Sequence, residues 1–324
     1  MDTAKLTEEI ISGRRLTHGD DLSFLLECEL GELCACADRL RQHFSGDRAD
    51  LCSIINGRSG RCSEDCKFCA QSARHCTGIE EYPFLGKERI LAECRHNEEQ
   101  GADRFAIVTA GRKLSGDEFE KALEAYRTLS AETGVSLCAS FGLLEEWQFA
   151  ALREAGVSRY HANIETSRAN FGNICTTHTF DDKLECIRRA RSAGLEVCSG
   201  GIIGMGESWE DRIDMALTLA EQGVSSIPIN ALIPIPGTPL EGIERITESD
   251  ILRTAAIFRF IVPEADIRLA AGRNLMEGCG RRAFRSGVNS AITGDMLTTS
   301  GNRIADDIAM LRETGYTTRR DENA

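Results

Sequence analysis

The sequence predicts an α/β fold, a complete (β/α)8 TIM-type barrel with an N-terminal helical extension, and three observations carry that expectation. Eight short β-rich runs alternate with amphipathic helical stretches from residue 51 onward. Glycines follow several of the helical stretches, at Gly101, Gly156, Gly194 and Gly223, where helix-terminating glycines belong. Nothing between the runs reads as an interdomain linker or a low-complexity segment. A doubly wound open sheet is the fallback, but eight strand-then-helix units in 324 residues match a closed barrel better.

In chain order, residues 1–50 are polar and helix-like and form the extension. The strand runs are 51–56, 104–109, 135–140, 159–165, 196–203, 226–232, 266–271 and 287–292. The helical stretches are 87–99, 117–133, 145–155, 181–193, 210–222, 248–260, 274–285 and 303–313. The barrel therefore spans 51–316, and the polar residues 317–324 are expected to form a loose tail.

Hydrophobic residues make up 42% of the chain, enough for a substantial core. No run approaches the roughly 18 apolar residues of a membrane span. The first residues lack the basic and apolar regions of a secretory signal, so a cytoplasmic protein is expected. A net charge of −13 argues against non-specific nucleic-acid binding, which needs a basic face. Fourteen cysteines are many for a reducing compartment, where thiols serve as metal ligands or as small buried hydrophobes rather than in disulfides.

Side chains alternate along a strand, so the barrel interior is legible by period two. Val135, Leu137 and Ala139 face the helices, which turns Ser136, Cys138 and Ser140 inward. The same parity turns in Cys52 and Asn56, Asn163 and Glu165, Cys198, Asn230 and Arg268. A barrel interior is ordinarily filled by Val, Ile and Leu. Thiols, amides, a carboxylate and a guanidinium there imply a ligand or metal, since burying them unpartnered costs several kcal/mol. The competing reading is a polar cluster satisfied by internal water.

The first βα loop carries Cys62, Cys66 and Cys69 in a C-x3-C-x2-C spacing. Three closely spaced thiolates can hold three irons of a 4Fe-4S cluster and leave the fourth open to a ligand that is not protein. Zinc is the alternative and needs a fourth ligand, for which His75 or Cys76 is available in sequence. The motif resembles that of the radical S-adenosylmethionine enzymes, including the aromatic residue, here Phe68, before the last cysteine. In that superfamily the open iron takes the amino and carboxylate groups of S-adenosylmethionine, and one electron cleaves a carbon–sulfur bond to give a 5'-deoxyadenosyl radical.

Segments 160–166, 172–177, 197–207, 228–232, 237–239, 267–273 and 297–299, in order, extend the resemblance to the biotin synthase family over about residues 20–315. The resemblance implies insertion of sulfur between the methyl and methylene carbons of dethiobiotin, with two iron–sulfur clusters. It makes Cys62, Cys66 and Cys69 the ligands of the radical-generating cluster. Asn163 and Glu165 would contact S-adenosylmethionine or substrate, with glutamate where the family more often has aspartate. Gly200, Gly201, Ile203 and Gly204 would pass the adenine, Asn230 would hydrogen-bond dethiobiotin, and Thr298 and Thr299 would hold the far end of the substrate, unless they serve a helix cap or turn. It also implies an electron donor such as flavodoxin or ferredoxin, and a homodimer.

The family's common form binds a 2Fe-2S cluster through cysteines of the second, third and fifth strands and an arginine of the seventh. Cys138, Cys198 and Arg268 match three of these. Ala106 stands at the second-strand position, and Cys52 is found on the first strand where the common form has serine. The thiolate looks relocated around the ring, which leaves the auxiliary iron–sulfur cluster either 2Fe-2S with Arg268 as ligand or a larger 4Fe cluster with an extra sulfide. The larger cluster is preferred, because an open iron bearing sulfide could donate sulfur without dismantling the cage. Cys34 and Cys36 could reach a metal, but a structural role is the simpler reading. Competing functions are another radical enzyme on the same barrel, resembling the hydrogenase-maturation or methylornithine-forming relatives, and a non-catalytic iron–sulfur or zinc protein.

Overall fold

The computed structural model describes residues 2–294, 297, 301–318 and 321. The chain opens with three helices, α1 (Thr3–Ile11), α2 (Phe24–Glu27) and α3 (Leu30–Ser45). The Asp2 carboxylate accepts from the amide of Ala4 and caps α1. Leu33, Ala37 and Leu40 of α3 are fully buried.

The barrel strands are β1 (Asp50–Arg58), β2 (Arg104–Thr109), β3 (Ser136–Ser140), β4 (Val157–His161), β5 (Glu196–Cys198), β6 (Gly201–Ile203), β7 (Ser226–Ala231), β8 (Asp266–Leu269) and β9 (Ser290–Thr293). All pair in parallel, and the ring closes because β5 and β6 both pair with β7 while β9 pairs with β1. Residues 196–203 were expected as one strand. The break at Ser199 and Gly200 has a cause in β7, where Pro228 has no N–H to continue the ladder. A Cβ on Gly200 would also lie 2.0 Å from the Pro228 carbonyl oxygen.

Around the ring lie α4 (Lys87–Gln100), α5 (Gly116–Glu132), α6 (Glu146–Glu154), α7 (Arg168–Ile174), α8 (Phe180–Ser192), α9 (Trp209–Glu221), α10 (Glu248–Ile261) and α11 (Ile304–Glu313). Capping boxes start α8, α9 and α10, with Thr179, Ser208 and Thr247 as caps and an aspartate three residues on in each. α3 packs on α10, so the extension covers the outside of the barrel beside β8. The outer core between strands and helices is apolar, with Leu51, Phe105, Ile107, Ile227 and Ile267 fully buried.

Two further expectations are corrected. The predicted helix over 274–285 is three 3-10 turns, Arg273–Leu275, Glu277–Cys279 and Ala283–Arg285. Gly278, Cys279 and Gly280 all take positive φ, which a right-handed helix does not admit. The tail is also tied down at its start: Thr317 exchanges backbone hydrogen bonds with Asp47 and Ala49, and Thr318 is fully buried.

Arg273 and Asp307 join the 3-10 segment to α11 through a two-pronged ion pair, Nη1 to Oδ2 at 2.8 Å and Nη2 to Oδ1 at 2.6 Å, with both side chains buried. Asp307→Ala would strand a buried guanidinium, which costs about 3–5 kcal/mol. A corresponding fall in the urea midpoint is expected, and an unchanged midpoint would show that the pair does not hold this part of the barrel.

Candidate active site

The barrel encloses a cavity of about 360 Å3, open at the C-terminal ends of the strands. Cys52, Cys138, Cys198, Arg268, Asn163 and Asn230, all turned inward by alternation, line it together with Glu165 and Ser140. Phe68 and Cys69 line its mouth. There it runs into a second hollow bounded by Cys62, Cys66, Glu165 and Lys183.

The cysteine loop is built by backbone hydrogen bonds rather than by regular structure. Cys62 donates to the carbonyl of Gln71 at 3.0 Å and its own carbonyl accepts from Ala73 at 2.8 Å. Cys69 donates to Cys66 at 3.0 Å, and Lys67 donates to Ile174 at the end of α7. The loop thus brings its three thiols to one hollow. His75 and Cys76, proposed in sequence as a fourth zinc ligand, do not join them. The His75 ring turns to the Cys69 carbonyl at 2.9 Å, and Cys76 is exposed.

Beside Cys66 lies a thiol to which sequence reasoning assigned no role. Cys175 ends α7 with its Sγ 3.7 Å from Cys66 Sγ and 3.3 Å from His178 Nδ1. The Cys66 thiol, followed by His178 and Thr177, lowers the Cys175 pKa to about 4 despite burial, while Cys66 is pushed up. His178 Nδ1 stands 2.6 Å from the Glu64 carboxylate, which also accepts from Thr177 Oγ1 at 2.9 Å and pairs with Arg112. Asp65 accepts from the amides of Thr176 and Thr177.

The floor is charged. Asp50 pairs with Arg268 at 2.5 Å and Arg104 at 2.8 Å, and these guanidinium groups, with Arg159 behind them, hold its carboxyl far below the usual range despite burial. Arg268 was expected as a metal ligand. Its Nη1 donates to the carbonyls of Asp50 and Ala291, Nη2 to the Asp50 carboxylate, and Nε to Ser226 at 3.5 Å. Four of its five N–H groups are so engaged, and the guanidinium brings its charge to the floor.

Above the floor, Cys52, Ala106 and Cys138 pack as one group. Register explains it: Ala106 stands level with Ile54 and Cys138 and presents only a methyl group, so the thiols of β1 and β3 meet across β2. The hydrogen bond from Cys52 lowers the Cys138 thiol to about 7 against the cost of burial, with Arg159 and Arg104 assisting, and Cys52 is raised correspondingly. Burial pushes Cys198 up, but His161, Arg268 and Arg159 outweigh it and its net shift is downward.

The wall between floor and mouth is made by backbone. Asn163 Oδ1 accepts from Gly200 N at 3.0 Å. Glu165 holds φ 70°, a left-handed conformation that is uncommon for glutamate and clusters at functional sites. Its Oε2 is buried with no hydrogen-bond partner among the described residues, as is Asn56 Oδ1. A Cβ on Gly201 would lie 2.4 Å from the Glu165 carbonyl oxygen, so the glycine permits this close pass. Asn230 donates to the Gly201 carbonyl at 3.1 Å and accepts from Ala271 at 3.2 Å, leaving one N–H and one lone pair for a ligand. Ile203, expected at the cofactor, is buried in the outer core, and its neighbour Ile202 faces the cavity instead. Thr298 and Thr299 lie outside the described residues.

These features fit an iron–sulfur cluster with a polar, adenosine-bearing ligand beside it: three thiols on one hollow, a partnerless carboxylate oxygen facing them, and a glycine-lined pass. Sequence reasoning missed Arg104, Arg159 and His161 on the inner face, although the alternation that found Asn163 and Glu165 includes the latter two. It also missed Glu64, Cys175 and His178, for which no local pattern exists.

Comparison with known proteins agrees with this geometry. Residues 58–219 match the model of the radical SAM superfamily, and residues 228–317 match that of the biotin and thiamin synthesis associated domain. The chain is 59% identical over 312 residues to the biotin synthase of Clostridium beijerinckii, covering 96% of this chain and 99% of that protein. It is 57% identical over 316 residues to the biotin synthase of Alkaliphilus metalliredigens, covering 98% and 99%. The crystal structure of methylornithine synthase superposes with a TM-score of 0.83 at 21% identity, covering 98% of this chain and 99% of that one. The FeFe-hydrogenase maturase HydG of Carboxydothermus hydrogenoformans superposes at 0.76 and 16% identity, covering 97% and 78%. At such identities these two structures share the fold alone, whereas the sequence relatives span nearly the whole chain, and the chain belongs to the biotin synthase family of radical S-adenosylmethionine enzymes.

Proposed function

We propose that the protein converts dethiobiotin to biotin by radical S-adenosylmethionine-dependent sulfur insertion. The observation that carries the reading is one continuous cavity with a three-thiol loop at its mouth and three further thiols, Cys52, Cys138 and Cys198, at its floor. When bound, the cofactors supply a carbon radical able to remove hydrogen from an unactivated C–H bond and a sulfide for the resulting carbon.

The reading assigns Cys62, Cys66 and Cys69 to the radical cluster and Cys52, Cys138 and Cys198 to the auxiliary cluster, 2Fe-2S or a larger 4Fe cluster with extra sulfide. Arg104, Arg159 and Arg268 offset the negative charge that thiolates and sulfides bring to a site with little water. Glu165 and Asn163 orient the polar end of S-adenosylmethionine, Phe68 packs at its side, and Gly200, Gly201 and Gly204 give its adenine a backbone surface. Between the two thiol sets Ile54, Val108, Ile202 and Ile292 make the cavity wall apolar, which suits the alkyl chain of dethiobiotin and excludes water from a radical. Asn230 directs its remaining N–H and lone pair at the ureido ring. Thr298 and Thr299 remain assigned to the far end of the substrate. The reductant in this reading is flavodoxin or ferredoxin, the protein acts as a homodimer, and its compartment is the cytoplasm. Among the described residues no helix is long and apolar enough to cross a membrane.

Replacing Cys62, Cys66 or Cys69 with alanine is expected to abolish 5'-deoxyadenosine formation while iron is retained at the floor. Wild-type cleavage by Cys66→Ala would overturn the assignment. Cys52→Ser should lower iron content and stop biotin formation yet leave 5'-deoxyadenosine production largely intact, and Cys34→Ser, in the outer core, should do neither. Biotin formation at the wild-type rate by Cys52→Ser would remove it from the ligand set. Asn230→Ala should weaken dethiobiotin binding by roughly 5-fold to 150-fold, the equivalent of losing about 1–3 kcal/mol of buried hydrogen bonding, in a titration calorimeter.

A further inference from the structure

We infer that the cluster-free protein holds a mononuclear site for a thiophilic divalent cation such as Zn2+, formed by Cys66, Cys175 and His178, and that occupation of this site competes with assembly of the radical cluster. The competition clause rests on the assignment of Cys66 to that cluster; the metal site does not.

The geometry is that of a tetrahedral zinc site before the metal arrives. With Zn–S near 2.3 Å and Zn–N near 2.0–2.1 Å, a tetrahedral angle sets S···S at about 3.8 Å and S···N at about 3.6 Å. Cys66 Sγ and Cys175 Sγ are 3.7 Å apart, and Cys175 Sγ is 3.8 Å from His178 Nε2. The three ligand atoms all lie within 4.8 Å of one another, and no other group of three such side chains among the described residues meets that condition.

The surroundings match as well. A zinc-bound histidine usually gives its other ring nitrogen to a carboxylate, which fixes tautomer and orientation. Here Nδ1 lies 2.6 Å from Glu64 and 3.3 Å from Cys175 Sγ, and Nε2 lies 3.8 Å from that thiol, so with Nδ1 given to Glu64 the nitrogen left for the metal is Nε2. Glu64 is itself held by Thr177 and Arg112, and the His178 ring meets the edge of Phe171 at 5.6 Å between centroids. Cys175 and His178 are buried and cannot be recruited by chance from the surface. Asp65 borders the site, its Oδ1 3.2 Å from Cys175 Sγ, but that oxygen also accepts from the amides of Thr176 and Thr177, and the fourth position is assigned to water.

Three residues make the site and only Cys66 belongs to the loop motif. The consequence is a choice: Cys66 serves either a single cation with Cys175 and His178 or an iron of the cluster with Cys62 and Cys69. Cys175 and His178 therefore act on cluster loading.

The test uses full-length protein stripped of cluster, kept reduced and anaerobic, and titrated with Co2+ as a spectroscopic probe. One equivalent is expected to give thiolate-to-cobalt charge transfer and the intense visible absorption of a tetrahedral site. Cys175→Ser and His178→Ala, with unchanged circular dichroism, should each weaken binding by at least about 10-fold, as loss of a ligand or its support does. Cys62→Ala and Cys69→Ala should leave it unchanged. Absence of the bands in the wild type, wild-type binding by Cys175→Ser, or equal loss in Cys62→Ala would overturn the site. One equivalent of Zn2+ should slow reconstitution of the cluster, read at the iron–sulfur absorption, in the wild type and not in Cys175→Ser. Equal reconstitution rates with and without Zn2+ in the wild type would overturn the competition. Deoxyadenosine production by the reconstituted wild type reports separately on the radical chemistry, so the two readings fail independently.

Discussion

The carboxylate of Asp50, closed in among Arg268, Arg104 and, further off, Arg159, is the interaction on which the rest of the interior depends. A barrel floor made of arginines alone would repel itself and could not be buried, since an uncompensated charge in a low-dielectric interior costs several kcal/mol. Asp50 makes burial possible by bridging β1, β2 and β8, three strands of the ring. What remains is a net positive field beneath Cys52, Cys138 and Cys198. It assists the hydrogen bond from Cys52 in lowering the buried Cys138 thiol to about 7, against a desolvation that would otherwise keep it neutral.

The upper half of the site answers a different constraint, that of backbone passing close to backbone. Pro228 interrupts the ladder of β7, Gly200 and Gly201 leave room where a side chain would collide, and Glu165 accepts a left-handed conformation to turn its carboxylate toward the cysteine loop. These are local departures from regular strand geometry, and two of the buried polar atoms without partners among the described residues, Glu165 Oε2 and Ser199 Oγ, lie at them. Strain and unsatisfied polarity at one place are marks of a preorganised ligand site.

The meeting of a thiol of β1 with one of β3 also becomes intelligible in three dimensions. Adjacent strands of a parallel barrel put neighbouring inner positions side by side, and Ala106 contributes so little volume that Cys52 reaches Cys138 across it. The small side chain of Ala106 and the thiols of Cys52 and Cys138 thus belong to one packing arrangement.

The succession of eight strand-then-helix runs specified the closed barrel, alternation the inward set Cys52, Cys138, Cys198, Asn163, Asn230 and Arg268, and the spacing of Cys62, Cys66 and Cys69 a metal-binding loop whose chemistry came from its resemblance to a known motif, because each is a periodic or contiguous pattern within one strand or one loop. The helix expected over 274–285 failed because hydrophobic periodicity outweighed Gly278 and Gly280, whose positive φ ends any right-handed helix. The partners of the inner residues were not legible either: that Arg268 would pair with Asp50, that Ile202 and not Ile203 would face the cavity past a broken strand, and that Cys175 would stop 3.7 Å from a thiol 109 positions away. Such contacts join residues far apart in the chain whose meeting depends on loop path and ring closure. Local sequence sets which face a side chain takes, and only the folded barrel decides what it meets there.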